Sequence, residues 1–203
     1  MNPHDLLWGL YPHHLPVEAP GWVSEAVARG LPVVVRRHYL GPNRVAVGIR
    51  GARREQRFAC SLPLAAVTRR VTPEQLIDLP FEPHCPALHA LLRVRDGLTA
   101  NGWVWGVSGS AGFELASGVR ALHAQSDLDL IVRAPKALSK REARALLATF
   151  EGVGCAVDVQ LQTPWGGVAL REWASDTRTV LLKGERTAQL VADPWAVAME
   201  PAL

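Results

Sequence analysis

The chain has 203 residues, 48% hydrophobic and 20% charged, with a formal net charge of +3; that balance supports a buried core and excludes disorder as the main state. No apolar run approaches the ~18 residues of a membrane span. The start MNPHDLLWGL lacks the basic and apolar regions of a signal peptide, and three scattered cysteines (Cys60, Cys85, Cys155) form neither a disulfide framework nor a zinc site, so a reducing cytoplasm is expected.

Pro20–Arg29 reads as a short helix stopped at Gly30. Leu31–Tyr39 and Arg44–Arg50 are Val-rich runs around Gly41-Pro42-Asn43, a hairpin pattern, and Gln56–Leu62 adds a third strand. Thr72-Pro73-Glu74-Gln75 has the signature of a helix start. Pro80, Pro83 and Pro86 then punctuate a linker. The expected division is a small β-rich, Arg-rich domain over 1–82 and a catalytic domain over 83–203. Within the second, Ala87–Thr99 is helical by its Leu spacing, Trp103–Val107 is a strand, and Gly109-Ser110 turns into a short helix over 111–117. Asp127–Val132 is a strand, Ser139 and Glu142 form a capping box for a helix to Phe150, and Cys155–Leu161 is a strand. Val168–Ala174 is expected to be helical, and Thr179–Leu182 with Ala188–Val191 closes the chain as a hairpin. The alternation implies an α+β fold.

Charge is unevenly placed. Residues 29–70 carry ten Arg and one acid, Glu55. Guanidinium forks grip phosphate in two places, so this field suits a polyanionic partner, although a solvated face is the plainer alternative. The carboxylates are more specific. In Ser126-Asp127-Leu128-Asp129-Leu130, strand alternation puts Asp127 and Asp129 on one face and both Leu on the other. Neighbouring carboxylates repel, and the usual compensation is a divalent cation with oxygen ligands. Asp158, between Val157 and Val159, is costly there without a partner or a task. Pairing of all three acids with Arg is the structural alternative. Upstream, Gly109 and Ser110 lead from a strand into a helix N-terminus, where backbone N–H groups meet anions.

The ordered set of strand, Gly-Ser, helix, Asp-x-Asp and a later lone Asp resembles the nucleotidyltransferase superfamily typified by DNA polymerase beta. The resemblance implies that Gly109, Ser110 and Gly112 bind phosphate, that Asp127 and Asp129 hold Mg2+ or Mn2+, and that Asp158 helps to place and deprotonate the attacking hydroxyl. Such sites clamp an in-line displacement with two cations ~3.5–4 Å apart. Sixteen residues separate Ser110 from Asp127, so an inserted turn around Leu115–His123 is expected.

Further blocks narrow the resemblance. His4-Asp5-Leu6-Leu7-Trp8, Arg44–Phe58, Gly109–Leu115, Gly166–Trp173 and Asp193-Pro194-Trp195 are similar to the malonate decarboxylase holo-acyl-carrier-protein synthase family, the phosphoribosyl-dephospho-CoA transferases. The resemblance spans nearly the whole chain. It implies transfer of a phosphoribosyl-dephospho-CoA group from its triphosphoribosyl precursor to a serine of an apo carrier subunit, with release of pyrophosphate. Arg50, Arg53, Arg54 and Arg57 would hold the precursor or dock an acidic carrier; Lys183 would reach a phosphate or lie solvated on its hairpin. The seven Trp read mostly as core or interface residues; Trp103 and Trp105 share a strand face, with a site wall as the lesser alternative, and the three thiols are expected to be buried. The seven His show no metal-ligand spacing. Two other functions stay open. One is another nucleotidyltransferase with a tRNA, protein or small-molecule acceptor. The other is a non-catalytic RNA-binding module, against which only Tyr39 and Phe58 lie in the Arg-rich segment for base stacking.

Overall fold

The computed structural model describes residues 1–53 and 55–197. In chain order it contains β1 (Leu6–Trp8), α1 (Gly21–Ala28), β2 (Val33–Tyr39), β3 (Arg44–Arg50), β4 (Arg57–Pro63), β5 (Arg69–Val71), α2 (Pro86–Ala100), β6 (Trp105–Val107), α3 (Gly109–Ser117), β7 (Leu128–Arg133), α4 (Lys140–Ala148), β8 (Val157–Gln162), β9 (Gly167–Ala169), α5 (Leu170–Ala174), β10 (Val180–Lys183) and β11 (Ala188–Val191). The mixed α+β expectation holds, in two sheets.

The first sheet has the order β4-β3-β2-β1-β5, every pair antiparallel. Its inner face packs on α1 through Leu7, Val23, Val27, Val35, Val47 and Leu62. The second has the order β11-β10-β9-β8-β7-β6. Its single parallel pair, β7 with β8, needs a crossover, and α4 supplies it. Leu128, Leu130, Val132, Val157, Val159 and Leu161 are buried in the core, with α2 Leu88 and Leu91 in the same cluster. That cluster also takes in Leu6, Val71 and Leu76 from the first half, so the two sheets share a core.

Several local expectations are corrected. Thr72 and Gln75 do form a capping box, but the helix they open is a four-residue 3-10 turn, Pro73–Leu76. It stops there because it packs on β6: a side chain at Gly106 would strike the Pro73–Glu74 backbone. Glu74 also takes a 2.6 Å ion pair from Arg133. Val168–Ala174 is not one helix, since Gly167–Ala169 is recruited as a strand beside β8 before α5 begins. Strand β6 starts at Trp105 rather than Trp103. Trp105 is buried and donates to Thr99 Oγ1 at 3.3 Å, so it belongs to the core rather than to a site wall. Of the three thiols only Cys85 is buried; Cys60 and Cys155 are half-buried, and burial pushes the Cys60 thiol up to about 11. The Ser139 capping box opens α4 as expected, with Ser139 Oγ accepting from Glu142 N at 3.2 Å. Asp193-Pro194-Trp195 is structural: Trp195 donates to Ala134 O at 2.7 Å and packs edge-on against Trp173.

Candidate active site

Three carboxylates converge. Asp127 ends the loop before β7, Asp129 is its second residue, and Asp158 is the second residue of β8. Because β7 and β8 are parallel with Asp129 opposite Asp158, the two side chains leave the same face of adjacent strands. One ligand oxygen from each of the three acids lies within 4.8 Å of the others. Among the described residues, neither Asp127 nor Asp158 joins an ion pair. Three like charges this close are self-repelling, and the all-oxygen donor set fits a hard divalent cation such as Mg2+ or Mn2+.

The N-terminus of α3 faces this cluster. Gly109 has φ 58°, and a side chain there would overlap the Asp129 carboxylate. Only glycine permits both the left-handed turn and the close approach. Ser108 N donates to Asp129 O at 2.9 Å, clipping helix to strand. An α-helix leaves its first N–H groups without intrahelical partners, so this end offers donors beside the carboxylates. Gly112 presses on Val107 O, where a methyl would sit at 2.8 Å. Gly109→Ala is expected to lower turnover about 100-fold, the cost of displacing a reacting group by ~1 Å, while circular dichroism stays native. Wild-type turnover in that variant would remove the close approach from the mechanism.

A cleft of about 670 Å³ runs from this turn to the first sheet. Arg50 bridges the two walls. It donates to Ser110 Oγ at 2.8 Å and to Ala121 O at 3.0 Å, and lies over the Phe113 ring at 5.5 Å. Burial lowers its guanidinium pKa and Arg57 adds to that, with Asp129 and Glu114 opposing. Arg57 also lines the cleft, as does Arg36, which sequence reasoning missed. Arg53 does not; it is exposed in the turn after β3, its N–H bound to Gln56 Oε1 at 3.0 Å. Arg54 lies outside the described residues.

The long connection expected around Leu115–His123 begins after Ser117, at Gly118 with φ 71°. Glu114 ties it down. Its Oε2 accepts from Ala121 N at 2.7 Å and Leu122 N at 2.9 Å, and Oε1 meets His84 Nε2 at 2.5 Å. Burial opposes ionisation of Glu114, but those hydrogen bonds outweigh it and hold the carboxyl below its usual value. Glu114 thus shapes the cleft wall that carries Asp127.

A second cavity of about 370 Å³ adjoins the cleft at Ser108, Gly109 and Asp129 and is lined by Asp158, Gln160, Arg171 and Lys183. Lys183 is exposed but reaches this cavity, so its solvated hairpin position and its place beside Asp158 are compatible. His4 lines both cavities. Burial lowers its pKa to about 4, Arg37, Arg133 and Lys183 add to this, and a hydrogen bond with Gln160 opposes it. Above pH 6.5 the ring is neutral folded or unfolded and contributes nothing; below 6.5 the unfolded chain gains a proton that the folded chain refuses until about pH 4. Stability is therefore expected to fall across that window, by up to about 3 kcal/mol at ~1.36 kcal/mol per unit. Urea melts of wild type and His4→Asn between pH 7 and 4 test this; parallel curves would refute it.

Comparison with known proteins supplies the family context. Residues 2–73 match the phosphoribosyl-dephospho-CoA transferase MdcG N-terminal domain, and residues 75–194 match the MdcG C-terminal domain. A Pseudomonas fluorescens Pf-5 protein named phosphoribosyl-dephospho-CoA transferase is 57% identical, with 95% of this chain and 93% of the relative covered. Relatives of the same name from Pseudomonas aeruginosa PAO1 and Azotobacter vinelandii are 53% and 50% identical. They cover 97% and 96% of this chain, and 95% and 94% of their own lengths. No solved structure matches. Among the described residues no helix is long and apolar enough to cross a membrane.

Proposed function

Because the chain belongs to the phosphoribosyl-dephospho-CoA transferase family, we propose that it transfers a phosphoribosyl-dephospho-CoA group from the triphosphoribosyl precursor to a serine of the apo acyl-carrier subunit of malonate decarboxylase. The convergence of Asp127, Asp129 and Asp158 beside the N-terminus of α3 carries this reading. The order β6, Gly109-Ser110, α3, Asp-x-Asp and a third acid on the adjacent parallel strand supports a nucleotidyltransferase fold of the polymerase beta type. The reaction would run in the cytoplasm.

In the transfer the serine oxygen bonds to the phosphorus next to the ribose. The bond from that phosphorus to the leaving pyrophosphate breaks, and pyrophosphate departs with the electron pair. The Gly109-Ser110 turn and Arg50 hold the leaving phosphates, and Arg57 and Arg36 extend the positive wall of the donor cleft. Asp127 and Asp129 would hold Mg2+, which supplies charge neutralisation at the transferred phosphoryl group. Asp158, which lines the adjoining cavity, orients the acceptor hydroxyl and draws off its proton. An in-line displacement needs attack and departure on opposite sides of the phosphorus.

The test is the intact mass of a competent apo carrier after incubation with the protein, Mg2+ and the triphosphoribosyl precursor. A gain equal to one phosphoribosyl-dephospho-CoA moiety is expected. No gain would overturn the assignment and direct attention to nucleoside triphosphates with RNA or other protein acceptors.

A further inference from the structure

His4 precedes β1 and has φ 74°, the one non-glycine residue with positive φ among those described. Such a backbone strains a residue that bears a side chain and persists only where the surroundings over-determine it. They do so here. His4 N donates to Val35 O at 2.9 Å and Val35 N donates to Asp5 O at 2.8 Å. Asn2 N donates to Asp5 Oδ2 at 2.7 Å, and the buried Asp5 carboxylate pairs with Arg70 Nε at 2.8 Å. The first residues of the chain are thus locked in a turn that glycine would adopt without strain.

What this turn presents is the ring. His4 lines the donor cleft, the Asp158 cavity, and a third cavity of about 510 Å³ that opens past Arg36, Arg37 and Arg186. Its ring shares two of these cavities with the Gln160 side chain. Gln160 is the next residue after Asp158 on the same face of β8, one strand repeat of ~6.6 Å away. Gln160 is itself cradled, since a side chain at Gly167 would overlap its amide. The other side chains that electrostatically face the ring are cations: Arg37 on β2, Arg133 on β7 and Lys183 on β10. They supply donors for phosphate. A neutral imidazole adds what they lack, an uncharged acceptor, and the natural guest of such an acceptor is a hydroxyl.

Resting on the transferase reading, we propose that His4 is a substrate-contacting residue whose imidazole accepts a hydrogen bond from a hydroxyl at the junction of the three cavities. That hydroxyl comes from a ribose of the donor or from the acceptor serine.

His4→Gly and His4→Asn test this, because both residues accept positive φ and neither supplies the ring. Both variants are expected to melt near wild type at pH 7.5 and to lose at least tenfold in kcat/KM in the carrier-mass assay. A donor contact raises the Kd of the triphosphoribosyl precursor in calorimetry and leaves the carrier KM unchanged. A serine contact leaves the donor Kd unchanged and lowers kcat or raises the carrier KM. Wild-type kcat/KM in both variants overturns the proposal. So does a loss that only follows a fallen melting temperature, or failure of both variants to fold, since the turn would then be scaffold. An inactive wild type with a competent carrier defeats the transferase reading instead, and His4 loses its stated role with it.

Discussion

Asp127→Asn and Asp129→Asn are expected to abolish transfer while leaving the fold intact. Each change keeps the side-chain shape and removes one negative charge from a cluster whose oxygens lie within 4.8 Å. Losing a cation that neutralises a transferred phosphoryl group removes several kcal/mol of transition-state stabilisation. At ~1.4 kcal/mol per decade, kcat falls by about a thousandfold or more. Thermal stability moves the other way. In chelator, deleting one of three like charges relieves repulsion, so the variants melt at or above wild type. In Mg2+ the wild type gains stability by mass action, and the variants do not. Carrier-mass assays beside melts with and without Mg2+ check both halves. More than a tenth of wild-type activity in either variant would sink the metal-ligand role.

Arg50→Ala is expected to raise the KM for the triphosphoribosyl donor by about 10- to 100-fold, since hydrogen bonds to charged groups contribute ~1.5–3 kcal/mol. The side chain fastens β3 to the Gly-Ser turn, and in the proposed reaction it would place a positive charge beside the leaving phosphates. Arg50→Lys should not restore activity, because one ammonium on a flexible stem cannot reproduce the fork between Ser110 Oγ and Ala121 O. Initial rates with donor and carrier varied separately decide the matter. A rise confined to the carrier KM would reassign this Arg to carrier docking.

The parts of the site legible in the sequence are those set by local rules. Alternation in Asp127-Leu128-Asp129-Leu130 announced its two faces, and Leu128 and Leu130 are indeed buried. Gly109 announced a turn, and Ser139 with Glu142 a cap. The rest depends on partners distant in the chain. Strands β1 and β5 have three residues each and exist because each pairs with the other across some 60 residues. Gly167–Ala169 carries no strand signal of its own and becomes one by lying against Gln160–Gln162. Arg36 and Arg57 read alike with Arg53 in a basic run, yet the sheet turns the first two to the cleft and leaves the third in a turn. His4 stood in a block that carries the family resemblance but showed no ligand spacing; the positive φ and the meeting of cavities give it a place at the site, and neither is written in the order of residues.

The in-register pairing of Asp129 with Asp158 across β7 and β8 bears on how this chain can change length. Insertions at the exposed Glu151-Gly152 turn of the crossover slide no residue within either strand, so the site tolerates them. One residue inserted between Val157 and Asp158, with Val157 held in register, would instead turn the carboxylate into the core and bring Val159 to the reaction face. At that exposed turn length is free to drift; within the first two residues of β8 it is not.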